Sequence, residues 1–135
     1  MKAITKVMKM SKTNDLRQLI YTQLNTISGI KAVYSDVADN EAIYPHIVFT
    51  INSIDLGDST KCDYIVDIDV WDKGTSTTIV IDLADAVECL FQDKLEPQET
   101  ILPVFYLVSN KKILDEDKTI QHRLVQVQVK LNERS

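Results

Sequence analysis

Apolar residues recur along this chain at two different periods, and the changes of period mark its elements. Between Asp15 and Ile27, the residues Leu16, Leu19, Ile20, Leu24 and Ile27 share one side of a helix. Thr13 or Asn14 offers a side-chain oxygen to the orphan N–H groups at its start. Ser28-Gly29 ends it, because glycine tolerates the left-handed position after a helix. A short strand is expected from Lys31 to Val37, followed by a polar connection from Ala38 to Tyr44. Pro45 lacks a donor, so it suits the first position of a strand, and it biases Tyr44 towards extended backbone. The strand it launches runs from His46 to Ile54. After a break at Asp55–Thr60, "KCDYIVDIDVWD" (residues 61–72) gives the clearest alternation in the chain. Tyr64, Val66, Ile68 and Val70 take one face; Asp63, Ile65, Asp67, Asp69 and Trp71 take the other. Lys73-Gly74 turns the chain. "TSTTIVIDLADAVECLFQDKL" then carries a helical stripe of Val80, Leu83, Ala84, Val87, Leu90 and Phe91. Thr75 or Ser76 stands as its cap, and Pro97 lies just past its end. Leu102–Ser109 and Thr119–Leu131 are the last two strands, joined by a charged hairpin loop, Lys111–Lys118.

The order α-β-β-β-α-β-β predicts a single α+β domain over residues 1–135, with 1–12 as a flexible lead-in. Short connections favour antiparallel pairing, and two amphipathic helices need one sheet face to bury against. The expectation is a mostly antiparallel sheet of four to five strands with both helices on one face. Phe49, Ile51, Val66, Ile68, Val127 and Val129 mark the core side. The second face is mixed: Val48, Ile54, Ile65, Trp71 and Leu124 stand among Thr50, Asp67, Asp69, Gln126 and Gln128. Apolar anchors in a polar field are the composition of a non-obligate protein interface, so Val48, Ile65, Trp71 and Leu124 are the candidate subunit-interface residues.

Composition narrows the function classes. A 135-residue chain with 44% hydrophobic residues can bury a core of its own. No apolar run approaches the roughly 18 residues of a membrane span, and the Lys-rich Met1–Asn14 stretch lacks the apolar core of a signal peptide. No membrane partner is expected. A net charge of −5 argues against gripping DNA, which needs Lys and Arg to neutralise phosphates. Cys62 and Cys89 have no metal or redox spacing and read as buried thiols in a reducing compartment. The chain holds no Gly-rich phosphate loop, no nucleophile elbow and no His- or Cys-rich metal spacing. No catalytic residue, cofactor or metal is therefore expected. The nearest thing to chemistry is Asp67 with Asp69, roughly 6.5–7 Å apart along one strand face, which a hard cation can in principle bridge through waters. A small metal-dependent enzyme built on that pair stands as an alternative to a solvated acidic face. Two loops are acidic at their tips: Asp55 and Asp58 in one; Asp115, Glu116 and Asp117 in the other.

The helix "LRQLIYTQL", then "VYSDV", "YPHIVF", the alternating strand ending "DVWDKG" and the amphipathic helix after it form one pattern. It resembles the tail-terminator, or tail-to-head joining, proteins of long-tailed bacteriophages. The likeness runs from about Leu16 to Leu131 and is carried by Tyr34, Tyr44-Pro45 and Val70-Trp71 in that order. The acidic "SIDLGDSTKC" loop departs from the pattern. The resemblance implies a structural virion protein, not an enzyme, assembled in the host cytoplasm and located in the tail or neck of the virion. It implies a ring of copies, expected as a hexamer, that closes the tail tube and joins it to the DNA-filled head. Its partners would be its own copies, the tail tube protein and a head-completion or stopper protein. A head-closure or stopper protein of the same neck is the alternative role, and a free-standing binding module for a bacterial partner a third. DNA would pass through such a ring without being specifically bound, and carboxylates at loop tips such as Asp55, Asp58, Asp115, Glu116 and Asp117 would repel its phosphates. Subunits of like net charge and a mixed interface predict a free protein that is monomeric, or in weak exchange, and a ring that forms on the finished tail.

Overall fold

The computed structural model describes residues 12–54, 62–92 and 101–133. The two apolar stripes fold as helices, α1 (Lys12–Leu24) and α2 (Thr78–Phe91). The alternating segments form strands β1 (Ala32–Ser35), β2 (His46–Ile54), β3 (Cys62–Lys73), β4 (Ile101–Ile113) and β5 (Ile120–Glu133). All five join one sheet in the order β1-β2-β3-β5-β4. β1 runs parallel to β2, and every other neighbouring pair is antiparallel. The protein is α+β, in the element order that the hydrophobic pattern predicts.

Both helices bury their stripes against the same side of the sheet. Leu16, Leu19, Ile20 and Leu24 of α1 and Val80, Leu83, Ala84, Val87 and Phe91 of α2 share one cluster with Ile47, Phe49, Val66, Ile68, Val70, Phe105, Val125, Val127, Val129 and Leu131. Ile51 is partly buried and packs against that cluster. Phe91 and Phe105 meet at a ring separation of 5.1 Å, fastening α2 to β4. At the other helix, Thr13 Oγ1 lies 3.0 Å from the phenol oxygen of Tyr64 on β3. Burial of this many aliphatic and aromatic side chains, at about 1.5–3 kcal/mol each, is the main force that holds the helices on the sheet.

Several element ends differ from the sequence expectation, each for a local reason. α1 stops at Leu24, before Ile27, where Asn25 Nδ2 and Thr26 Oγ1 donate to the carbonyls of Tyr21 and Gln23. Gly29 then takes a positive φ of 93°. Thr13 and Asn14 lie inside α1 instead of capping it, and Asn14 Oδ1 accepts a hydrogen bond from Arg17. At the start of α2, Ser76 Oγ accepts the Thr78 N–H at 3.3 Å, while Thr77 holds the cap position without a side-chain bond. β1 is shorter than expected because Asp36 turns the chain with a φ of 73°. β4 runs four residues beyond Ser109, so Lys111 and Lys112 belong to a strand and not to the hairpin loop. Cys89 is an exposed free thiol, on the opposite side of α2 from its buried stripe, which corrects the expectation of a buried one. The Cys62 side chain, Pro97 and the lead-in through residue 11 lie outside the described residues.

Candidate interaction face

The sheet face away from the helices carries the residues singled out from sequence, and the strand register shows which of them meet. One rung reads Tyr34, Val48, Asp69, Leu124, Lys111 across β1, β2, β3, β5 and β4. The next includes Ala32, His46, Trp71, His122 and Ile113. Val48, Trp71 and Leu124 therefore lie together around Asp69, each half-buried. Ile65 stands further along β3, opposite Asn52 and Gln128, and does not join them.

Asp67 and Asp69 do not present themselves as a pair. Gln126 Nε2 donates to Asp67 Oδ1 at 2.8 Å, and Ser109 Oγ donates to Gln126 Oε1 at 3.3 Å, so a hydrogen-bonded row crosses three strands. Asp69 Oδ1 instead meets His122 Nε2 at 2.6 Å. Asp63, which is buried, accepts from Gln128 Nε2 at 3.3 Å. Each carboxylate on this face of β3 thus takes a partner from β5, in the manner of cross-strand pairs that stabilise a sheet. No group of three or more His, Cys, Asp or Glu side chains is arranged to hold a metal among the described residues. The chemistry of the face is a ladder of satisfied polar pairs between apolar anchors. Trp71 crowns it, stacked on the His122 ring at 3.7 Å and 14° between planes.

Sequence reasoning missed one feature. The connection between the parallel strands β1 and β2 borders this face and forms one side of an open cleft of about 510 Å³, whose lining includes Asp36, Asp39, Tyr44, His46, Val48, Asp69 and Trp71. His46 is 5% exposed, and its Nδ1 has no hydrogen-bond partner of good geometry. Tyr34 meets it edge-on at 5.8 Å and Tyr44 lies tilted at 4.8 Å. The Tyr44–Pro45 peptide is cis, and the Pro45 carbonyl accepts the Lys31 N–H at 2.9 Å. The local signal was the run Tyr-Pro-His, which placed the strand start correctly; the return of the connection onto the sheet face left no periodic trace.

Burial holds the His46 pKa below its ordinary 6.5, with the Ile43 backbone acting weakly in the opposite direction. The unfolded chain therefore binds a proton more readily than the fold does, and stability falls as pH drops below about 6.5. The carboxylates lining the same cleft are Asp36, Asp39 and Asp69, the last already engaged by His122. We expect the melting temperature to decline between pH 7.5 and pH 5.5, and the decline to flatten in His46→Phe. Scanning fluorimetry across that range checks it; parallel slopes for the two proteins would remove His46 as the cause.

The acidic tips differ in what can be said of them. Asp55 and Asp58 lie outside the described residues. Asp115, Glu116 and Asp117 are exposed at the β4–β5 turn. Asp117 Oδ1 accepts from both the hydroxyl and the N–H of Thr119, and these bonds hold its carboxyl below the usual range. Asp115 Oδ1 accepts the Asp117 N–H at 2.9 Å. The turn is stiffened by its own carboxylates and projects them to solvent.

No protein-family model and no curated protein matches the sequence. Among solved structures, a chain of the virion of a native gene transfer agent particle matches with a TM-score of 0.63, over 84% of this chain and 91% of that one. The fold recurs in a virion. Sequence identity between the two is 14%, so the likeness is one of fold. No helix among the described residues is long and apolar enough to cross a membrane.

Proposed function

We propose that this chain is a structural subunit of a phage-like virion, one copy in a ring that closes the tail tube and joins it to the DNA-filled head. The observation that carries this reading is the fold held in common with a chain of a gene transfer agent virion over most of both lengths. The second sheet face supports it. Its β3 carboxylates each take a cross-strand partner, and its half-buried Val48, Trp71 and Leu124 suit packing against another protein surface. Ring copies, expected as six, would meet through this region, and the tube protein and a head-completion protein would lie above and below.

Deleting the gene should leave filled heads and separate tails, visible by electron microscopy, and supplying the protein in trans should restore joined particles. Normal particles without the protein would refute the role. In the ring, the exposed Asp115–Asp117 turn is placed towards the channel, where its charge repels passing DNA. Replacing Asp115, Glu116 and Asp117 with Lys should leave folding nearly unchanged, since exposed charges contribute little, and should slow DNA ejection by attracting phosphates. An ejection rate equal to wild type would take this turn out of the channel lining.

A further inference from the structure

An acidic cleft lies beside one edge of the sheet, and a pair of lysines stands on the strand at the other. The connection from Asp36 to Tyr44, beside β1, carries Asp36, Asp39 and Glu41 and no basic residue. At the other edge, β4 carries Lys111 and Lys112 and no acidic residue, while the turn beyond Leu114 carries Asp115, Glu116 and Asp117. Among the described residues, no ion pair engages either lysine. Exposed apolar residues gather at the same two edges. Val37 (77% exposed) and Ile43 (66%) flank the acidic cleft, while Val108 (53%) and Leu114 (84%) flank the lysines. On β4, Lys111 also stands on the same face and the same rung as Val48 and Asp69, which line the cleft. The rung spans about 19 Å from β1 to β4 at ordinary strand spacing.

We propose that copies of this chain associate head-to-tail, edge to edge, with Lys111 of one copy seated in the Asp36–Asp39–Asp69 cleft of the next. This rests on the ring reading and names its contact. The cleft is built to receive a cation. Its carboxylates are joined by the Trp71 ring, one face of which is stacked on His122 while the other is left to attract an ammonium group. His46 lines the same cleft, nine-tenths buried, and its Nδ1 is itself buried without a partner. A contact between two different surfaces of the same chain is heterologous, and such contacts close into rings when the rotation between copies allows it. β4 is at the same time guarded against simple strand-to-strand addition. It has Pro103, a bulge between Leu107 and Ser109, and the two lysines, all devices that blunt an edge. Side chains, not a continued ladder, make the joint. Each joint is weak because its ion pair is solvated at the rim, and the net charge of −5 per copy opposes free association. A tail end that holds copies side by side raises their effective concentration and closes the ring.

The test is a charge swap read by sedimentation velocity on the purified full chain at submillimolar concentration and low to moderate salt. Wild type should show weak self-association. Lys111→Glu and Asp39→Lys should each reduce the association constant about tenfold, which corresponds to about 1.4 kcal/mol. The double variant Lys111→Glu/Asp39→Lys should recover most of the loss. Melting curves matching wild type show that the variants fold. A wild type that stays monomeric throughout, single variants that associate like wild type, or a double variant no better than the singles would each overturn the contact. These outcomes are separate from the virion role, which stands or falls on whether the gene deletion leaves heads and tails unjoined.

Discussion

Trp71→Ala should abolish the joining of heads and tails while costing the isolated subunit only about 1–2 kcal/mol. The indole is half-buried, outside the helix-side core, and its described ring contact is the stack on His122. An aromatic pair of this kind contributes about 0.5–1.5 kcal/mol beyond simple burial, so a folded subunit survives its loss. The proposed assembly would depend on it more steeply. Trp71 forms a wall of the cleft and stands beside Val48 and Leu124, and large central aromatics dominate the energetics of protein interfaces. In the proposed ring the deficit multiplies, because every copy would carry it at every joint. In vitro complementation of unjoined heads and tails measures the effect, with a melting curve as control. Joined particles at wild-type yield would show that Trp71 is not an anchor. A collapse of the melting transition would show that it belongs to the core instead.

Phe49→Ala should have the opposite profile: a large loss of stability, with assembly failing only because the subunit unfolds. Phe49 is fully buried on the helix side of the interior strand β2 and is among the largest fully buried side chains. Truncating such a residue removes transfer free energy and leaves a cavity, at about 3–5 kcal/mol. For a domain of this size that lowers the melting temperature by roughly 10–20 °C. Thermal unfolding by circular dichroism is the measurement. A shift of only a few degrees would mean that the helices do not pack over β2 as described.

The contrast between these two residues also shows what could be read from sequence. Phe49 and Trp71 fall on opposite faces, and strand parity alone assigns them so. The same parity identified Val66, Ile68, Val127 and Val129 as core, and the helical stripes from Leu16 and Val80 placed the helices. Those patterns are local, written within ten or fifteen residues. What escaped was non-local. Asp67 finds Gln126 across 59 positions and Asp69 finds His122 across 53. Those meetings depend on β5 pairing with β3 as well as with β4, and nothing in the periodicity states that order. The bulge at Leu107/Ser109 escaped too. It shifts the register by one residue, which turns Asn110 towards α2, where it bonds Asp85 and Glu88, and leaves Lys111 on the second face. A one-residue shift exchanges the two faces, so the lysines read from sequence as part of a loop became strand residues with a definite direction.

The candidate interface was legible in part for the same reason. Val48 and Leu124 flank Asp69 on one rung, and Trp71 stands beside them on the next. Ile65 has the same parity but sits two rungs away in the other direction, and alternation alone cannot separate the two cases. The cleft depends on a connection that returns over the sheet, and its acidic residues looked from sequence like an ordinary polar linker.

Electron cryomicroscopy of the particles that carry this chain tests most directly whether it is the proposed ring subunit at the junction of tail and head. The expected result is a closed ring of copies at the end of the tail tube facing the head, with the β1 edge of each copy against the β4 edge of the next. Finding the protein elsewhere in the particle, or absent from it, would contradict that role.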